Sequence, residues 1–127
     1  MGMQVMVKRP NENLEILNIE DNLEELQSIV EGYIEYVPVN KLSEKNIEII
    51  VNDEGKINGL KASLAIGHKG NIVDVICGNA IFISFKKTRK GIESDSLNED
   101  QIIYIKDLLS KNAAVTTYGD IIPIIEI

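Results

Sequence analysis

Apolar and polar positions along this chain fall into short blocks of two periods, separated by turn residues. Residues 3–7 (MQVMV) form a compact apolar run, stopped by KRPNEN, where Pro10 and Asn11 favour a turn. Residues 14–19 (LEILNI) alternate, which predicts the second strand of a hairpin. The period then changes. Within DNLEELQSIVEG, Leu23, Leu26, Ile29 and Val30 recur at the spacing of one helix face. Asp21 is the expected cap with Glu24 completing a capping box, and Gly32 is the expected left-handed residue that ends the helix. YIEYVPV returns to alternation, with Tyr33 and Glu35 on one side and Ile34 and Tyr36 on the other. Pro38 has no N–H for a ladder, so this strand is expected at an edge.

KLSEKN reads as a loop. IEIIVNDEGKINGL predicts a hairpin: a strand through Val51, a turn at NDEG, and a return at Lys56 and Ile57. Residues 61–66 suggest a single helical turn. IVDVICGNAIFISF is the most apolar region and reads as two short strands broken at Gly78-Asn79, or one bulged strand. KKTRKGIESD reads as an exposed turn. SLNEDQIIYIKDLLSKN predicts a second helix, capped by Ser96 with Glu99 reciprocating, its face built from Leu97, Ile102 or Ile103, Ile105, Leu108 and Leu109, and closed by Asn112. The tail AVTTYGDIIPIIEI is strand-like around Pro123. So apolar a stretch must pair with a sheet edge of its own chain or dock on a second copy. Together these elements predict one α+β domain over residues 1–127: a five- or six-stranded mixed or antiparallel sheet with two helices packed on one face.

Composition supports a folded domain. The chain has 127 residues, of which 44% are hydrophobic and 26% charged, with no Trp and abundant isoleucine, which suits sheet. No apolar run reaches the roughly 18 residues of a spanning helix. The start MGMQVMVKRP lacks a basic region before an apolar stretch and lacks Ser or Thr at the sixth position, so neither a secretory leader nor a myristoylation signal is expected, and the expected location is cytoplasmic. Cys77 and His68 are the only residues of their types, so no disulfide and no Cys/His zinc cluster can form within the chain. Cys77 is expected as a buried structural thiol and His68 as an exposed loop residue. No metal or cofactor is expected.

The net charge of −7 is uneven. Between Pro10 and Asn40 there are eight acids and no Lys or Arg. Such a surface repels nucleic acid and phosphate-rich membranes. Glu20, Asp21, Glu24, Glu25 and Glu31 form a solvated helix face or, alternatively, a docking surface for a partner with a basic patch. The opposite sign is concentrated in KKTRK, where Lys86, Lys87, Arg89 and Lys90 serve either solubility or capture of a phosphate or carboxylate. That patch could also meet the acidic helix of another copy, giving a homo-oligomer. In GYIEY, Tyr33, Glu35 and Tyr36 either close a core edge or offer rings for a planar ligand. IGHKGNIVDVI fits the Gly-x-x-Gly of a KH loop, but its β-branched continuation favours strand and the acidic charge disfavours nucleic acid. GHKGN lacks the Lys-Ser/Thr end of a phosphate-binding P-loop. NDEG lacks the spaced oxygens of a calcium loop. No nucleophile–base pair is distinguishable, so catalysis is not expected.

LQSIVEGYIEYVPV, IIVNDEGKINGL, GNAIFI and SLNEDQ together resemble a small domain-of-unknown-function family, number 3846, found in phages and conjugative elements of Firmicutes. The resemblance runs over roughly residues 4–109. In place of the Pro and Asn that often follow GL in such proteins, this chain has GLKAS. The resemblance implies a small α+β domain and a mobile-element origin, and no chemistry. The expected function is therefore non-catalytic binding that sequesters or inhibits a host protein, including a defence protein with a basic surface, or a small anionic ligand. The alternatives are an enzyme acting on a small ligand and a KH-like nucleic-acid module. Membrane partners are not expected.

Overall fold

The computed structural model describes residues 2–127; Met1, where the leader reading begins, lies outside them. Ten strands and three helices follow in the order β1 (Gly2–Lys8), β2 (Glu15–Glu20), α1 (Leu23–Val30), β3 (Ile34–Val37), α2 (Asn40–Ser43), β4 (Ile47–Asn52), β5 (Ala62–His68), β6 (Asn71–Cys77), β7 (Ala80–Thr88), β8 (Gly91–Asp95), α3 (Glu99–Ser110), β9 (Ala113–Val115) and β10 (Ile121–Glu126). A six-stranded antiparallel sheet has the order β2-β1-β7-β4-β3, with β8 paired to the outer half of β7. A second sheet has the order β6-β5-β10-β9 and is mixed, because β10 runs parallel to β5.

The α+β class and the six-stranded sheet agree with the sequence pattern. The placement of helices does not. Strand alternation sends neighbouring residues to opposite faces. In β7, Ala80 and Phe82 face one core while Ile81 and Ile83 face the other; in β4, Ile47, Ile49 and Val51 oppose Ile50. Helix α1 covers one face through Leu26 and Val30. The other face is covered by α2 through Leu42, by α3 through Ile102, Ile105, Leu108 and Leu109, and by the inner side of the second sheet through Leu64, Ile66, Ile76 and Ile125. The two long helices thus lie on opposite faces of the six-stranded sheet, not on one.

Several local expectations shift. KLSEKN begins in the short helix α2. NDEG does turn the chain, but β4 and β5 do not form a hairpin: β4 pairs with β3 and β7, whereas β5 pairs with β6 and β10. The chain uses residues 53–60 to cross between sheets, and Gly55 is required there because a Cβ would lie 2.2 Å from the Cys77 carbonyl oxygen. Residues 62–68 are strand, not a helical turn. Lys86–Thr88 and Gly91–Asp95 extend into a β-hairpin, leaving only Arg89 and Lys90 at its tip. The apolar tail supplies β10, an inner strand of the second sheet of the same chain, not an edge.

Both helix starts are capped, one position or two from the expected residue. Asn22 Oδ1 accepts from the Glu25 N–H at 2.8 Å. Asn98 and Gln101 form the reciprocal capping box of α3, while the Ser96 hydroxyl accepts from the Gln4 N–H of β1. At the end of α1, Glu31 takes the left-handed conformation (φ 63°). Gly32 has a different role. A Cβ there would meet Asn52 Nδ2 at 2.6 Å. That amide donates to the Val30 and Glu31 carbonyls at 3.0 and 3.2 Å, and its oxygen accepts from the Glu54 N–H. Asn52 therefore closes the C-terminus of α1 from the end of β4 and starts the crossover.

Asn52→Ala should cost about 2–4 kcal/mol, because buried carbonyls lose their donor. Gly32→Ala should cost about 1–3 kcal/mol by displacing that amide. Urea unfolding of both single variants and the double variant should show strong coupling, with Gly32→Ala nearly neutral once Asn52 is alanine. Additive losses would show that Gly32 acts by some other means.

Candidate functional site

The residues singled out in the sequence are dispersed. Tyr36 opposes Ile50, which opposes Ile81; Arg89 lies eight residues farther along β7. At the rise of a β-strand this separates Tyr36 from the hairpin tip by about 26 Å. The rings of Tyr33 and Tyr36 and the cations of Lys86, Lys87, Arg89 and Lys90 therefore do not line a common pocket. Glu35 and Tyr36 fall on opposite faces of β3. Tyr36 is half-exposed, and burial, Glu48 and Asp21 all push its hydroxyl pKa up. Glu35 faces instead the small cleft beside Lys56 and Asp74, whose ion pair raises the lysine pKa.

Among the acids, Glu24 and Glu25 occupy the first turn of α1, where the helix dipole favours negative charge. Glu20 and Asp21 lead into that turn. Glu31 is at the other end of the helix, about 9–11 Å away by helical rise, and lines a shallow depression together with Arg9. The acidic face is thus split. His68 is exposed, and its Nδ1 lies 3.1 Å from the Ile127 carbonyl oxygen. The Gly67–Gly70 loop is a tight hairpin turn with Lys69 and Gly70 at positive φ (51° and 82°), leading into strand β6. A KH loop leads into a helix, so that arrangement is not formed. Among the described residues no group of three or more His, Cys, Asp or Glu is placed to hold a metal ion, and no helix is long and apolar enough to cross a membrane.

Two concavities stand out. The first is a groove of about 680 Å³ running from the second sheet to the loop that joins β9 and β10. Its walls include Ile72, Val75, Val115, Tyr118 and Ile122, and Cys77 lies at one end. Tyr118 is 91% exposed and Val115 71%, so large apolar side chains are presented to solvent. Cys77 is half-buried, and burial pushes its thiol pKa up while Lys56 opposes the shift; the fully buried thiol expected from the sequence is not found.

The second is a cleft of about 630 Å³ where the β1–β2 loop, the last turn of α3 and the start of β10 converge. Lys8 lies in its wall and is only 7% exposed. It is the last residue of β1, opposite Ala80 of β7, with the parity of Met6 on the α3 side of the sheet. Its Nζ donates to the Arg9 carbonyl at 2.6 Å. Burial lowers its pKa below the ordinary 10.5, and nearby Glu12 partly offsets this. Arg9 itself is paired with Glu15. No pattern in the sequence marks Lys8: its burial follows from strand register.

The sequence profile of DUF3846, a domain of unknown function, matches residues 3–110, and the chain belongs to that family. No curated protein and no solved structure matches the chain.

A group whose pKa is lowered on folding makes the unfolded chain bind more protons between the two values, so stability rises with pH there. As pH rises toward 10.5 the penalty for burying charged Lys8 should be relieved and stability should rise, whereas Cys77 and Tyr36, with raised values, contribute the opposite slope. Urea midpoints of wild type and Lys8→Met across that range isolate the lysine: their difference should shift in favour of wild type as pH rises. A constant difference would show that the amine is not desolvated.

Proposed function

We propose that this chain is a non-catalytic binding protein of a phage or other mobile element, which sequesters or inhibits a host protein. The observation that carries this reading is the groove beside the second sheet. A domain with two well-filled cores has no structural use for Val115 and Tyr118 in water, and apolar grooves with aromatic walls are the usual anchors of protein partners. The acids around the start of α1 lie outside the groove. Their role in the proposal is to speed encounter with a basic host surface and to repel nucleic acid.

The test is co-purification with quantitative mass spectrometry from the natural host, followed by binding measurements on the recovered partner. Ile72→Glu and Val115→Glu should weaken binding about tenfold or more by placing a charge in an apolar contact. Reversing Glu24 and Glu25 to lysine should slow association and flatten its salt dependence with little effect on dissociation. Undiminished binding by both groove variants would overturn the assignment.

A further inference from the structure

Five polar or charged residues of this fold are buried: Lys8, Asn52, Ser63, Ser84 and Gln101. Four have their hydrogen bonds inside the protein. Asn52 bridges α1 and the crossover, Ser63 Oγ donates to the Ile76 carbonyl, and Gln101 Nε2 donates to Ser84 Oγ and the Lys45 carbonyl while its oxygen accepts from Asn98 N–H. Lys8 differs. An ammonium has three donors, and Lys8 uses one, on the Arg9 carbonyl. Among the described residues no carboxylate comes within ion-pair distance of it. Burying a cation with only a distant counter-charge, here Glu12, is costly, and the parity of β1 would accept an aliphatic side chain in its place. Lys8 lines a cleft.

We propose that this cleft binds a small organic monocarboxylate, with Lys8 receiving the carboxylate and an apolar body resting on Leu109 and Ile121. Lys106, on the same wall, supplies a second positive charge. Glu12 and Asp120 also line the cleft, as does the C-terminal end of α3, which carries the negative end of the helix dipole. Those groups offset the two lysines and disfavour a dianion such as inorganic phosphate, so the proposal is limited to a ligand with a single negative charge. A carboxylate at Lys8 would replace the missing counter-ion with a charge-assisted hydrogen bond. Lys8 is a binding residue here; no covalent step is involved. The inference shares no side chain but Asp120 with the groove assigned to a protein partner, and failure of either leaves the other standing.

Benzoate is a suitable probe, with benzamide as its neutral counterpart and inorganic phosphate as the polyanion. In wild type labelled with 13C-lysine, benzoate should shift the side-chain signals of Lys8 and Lys106 saturably and leave the remaining lysines in place. Benzamide should leave all of them in place, and phosphate should bind at least about tenfold more weakly. Calorimetric titration of Lys8→Met should show affinity for benzoate reduced about tenfold to a hundredfold, as expected for a charged hydrogen bond lost. The titration on wild type needs no variant, so a Lys8→Met chain that fails to fold does not remove the test. Uniform shifts of all lysines, no shift at millimolar benzoate, tighter binding of phosphate, or unchanged affinity in a folded Lys8→Met would each overturn the proposal.

Discussion

Burial of the six-stranded sheet on both faces is the constraint from which the remaining structure follows. In β1, β4 and the first five residues of β7 nearly every residue is inside, so the usual polar half of the strand alternation is missing there. Each aliphatic side chain removed from water contributes about 1.5–3 kcal/mol, and in these strands both parities contribute. Two separate covers are then required. One is light: α1, with Leu26 and Val30. The other is heavy, because a single helix cannot roof the wide face that Phe82 and Ile49 present, and the second sheet takes up what α3 leaves open.

That arrangement decides where polar chemistry can reside. The centre of the sheet admits none. Polar side chains that are buried sit where one element hands over to another. Asn52 does this at the end of β4, and Gln101 and Ser84 do it where the β7–β8 hairpin leaves the main sheet. Lys8 occupies the corresponding place at the end of β1, yet closes nothing except its own turn. The contrast between these buried polar groups, with Asn52, Ser84 and Gln101 bonded across elements and Lys8 only to its neighbour, sets the cleft apart from ordinary surface relief.

The core was legible wherever period and composition agreed. β4 and β7 are runs of isoleucine with no alternative packing, and α3 carries a wide apolar stripe with polar residues ahead of it. Capping was legible in kind but not in position, since ED-N and SLN each offer several oxygens and only backbone geometry decides which reaches the N–H. β5 was not legible: Ala62, Ser63, Ala65 and Gly67 have weak strand preference, and their conformation is imposed by β6 and β10 on either side. The candidate site was least legible of all. Tyr33, Tyr36 and the KKTRK cations are conspicuous in the sequence because they are exposed, and exposure scattered them. Lys8 is inconspicuous beside Arg9 and Pro10, and only the pairing with Ala80 takes it inside.

The family match adds a division of labour within the molecule. It ends at residue 110, before β9 and β10. Those strands are no appendage: Ile122 and Ile125 are buried, and β10 is an inner strand of the second sheet. Both concavities straddle this boundary. The Lys8 cleft takes one wall from β1, its loop and α3, and the other from Ala113, Asp120 and Ile121. The groove takes Ile72 and Val75 from the matched part, and Val115, Tyr118 and Ile122 from the part beyond. Each concavity is therefore lined partly by residues within the family match and partly by the final segment. The final segment also belongs to the core, since Ile125 lies in the same buried cluster as Ile47, Ile49 and Phe82 of the six-stranded sheet, so a change there acts on packing as well as on the two concavities.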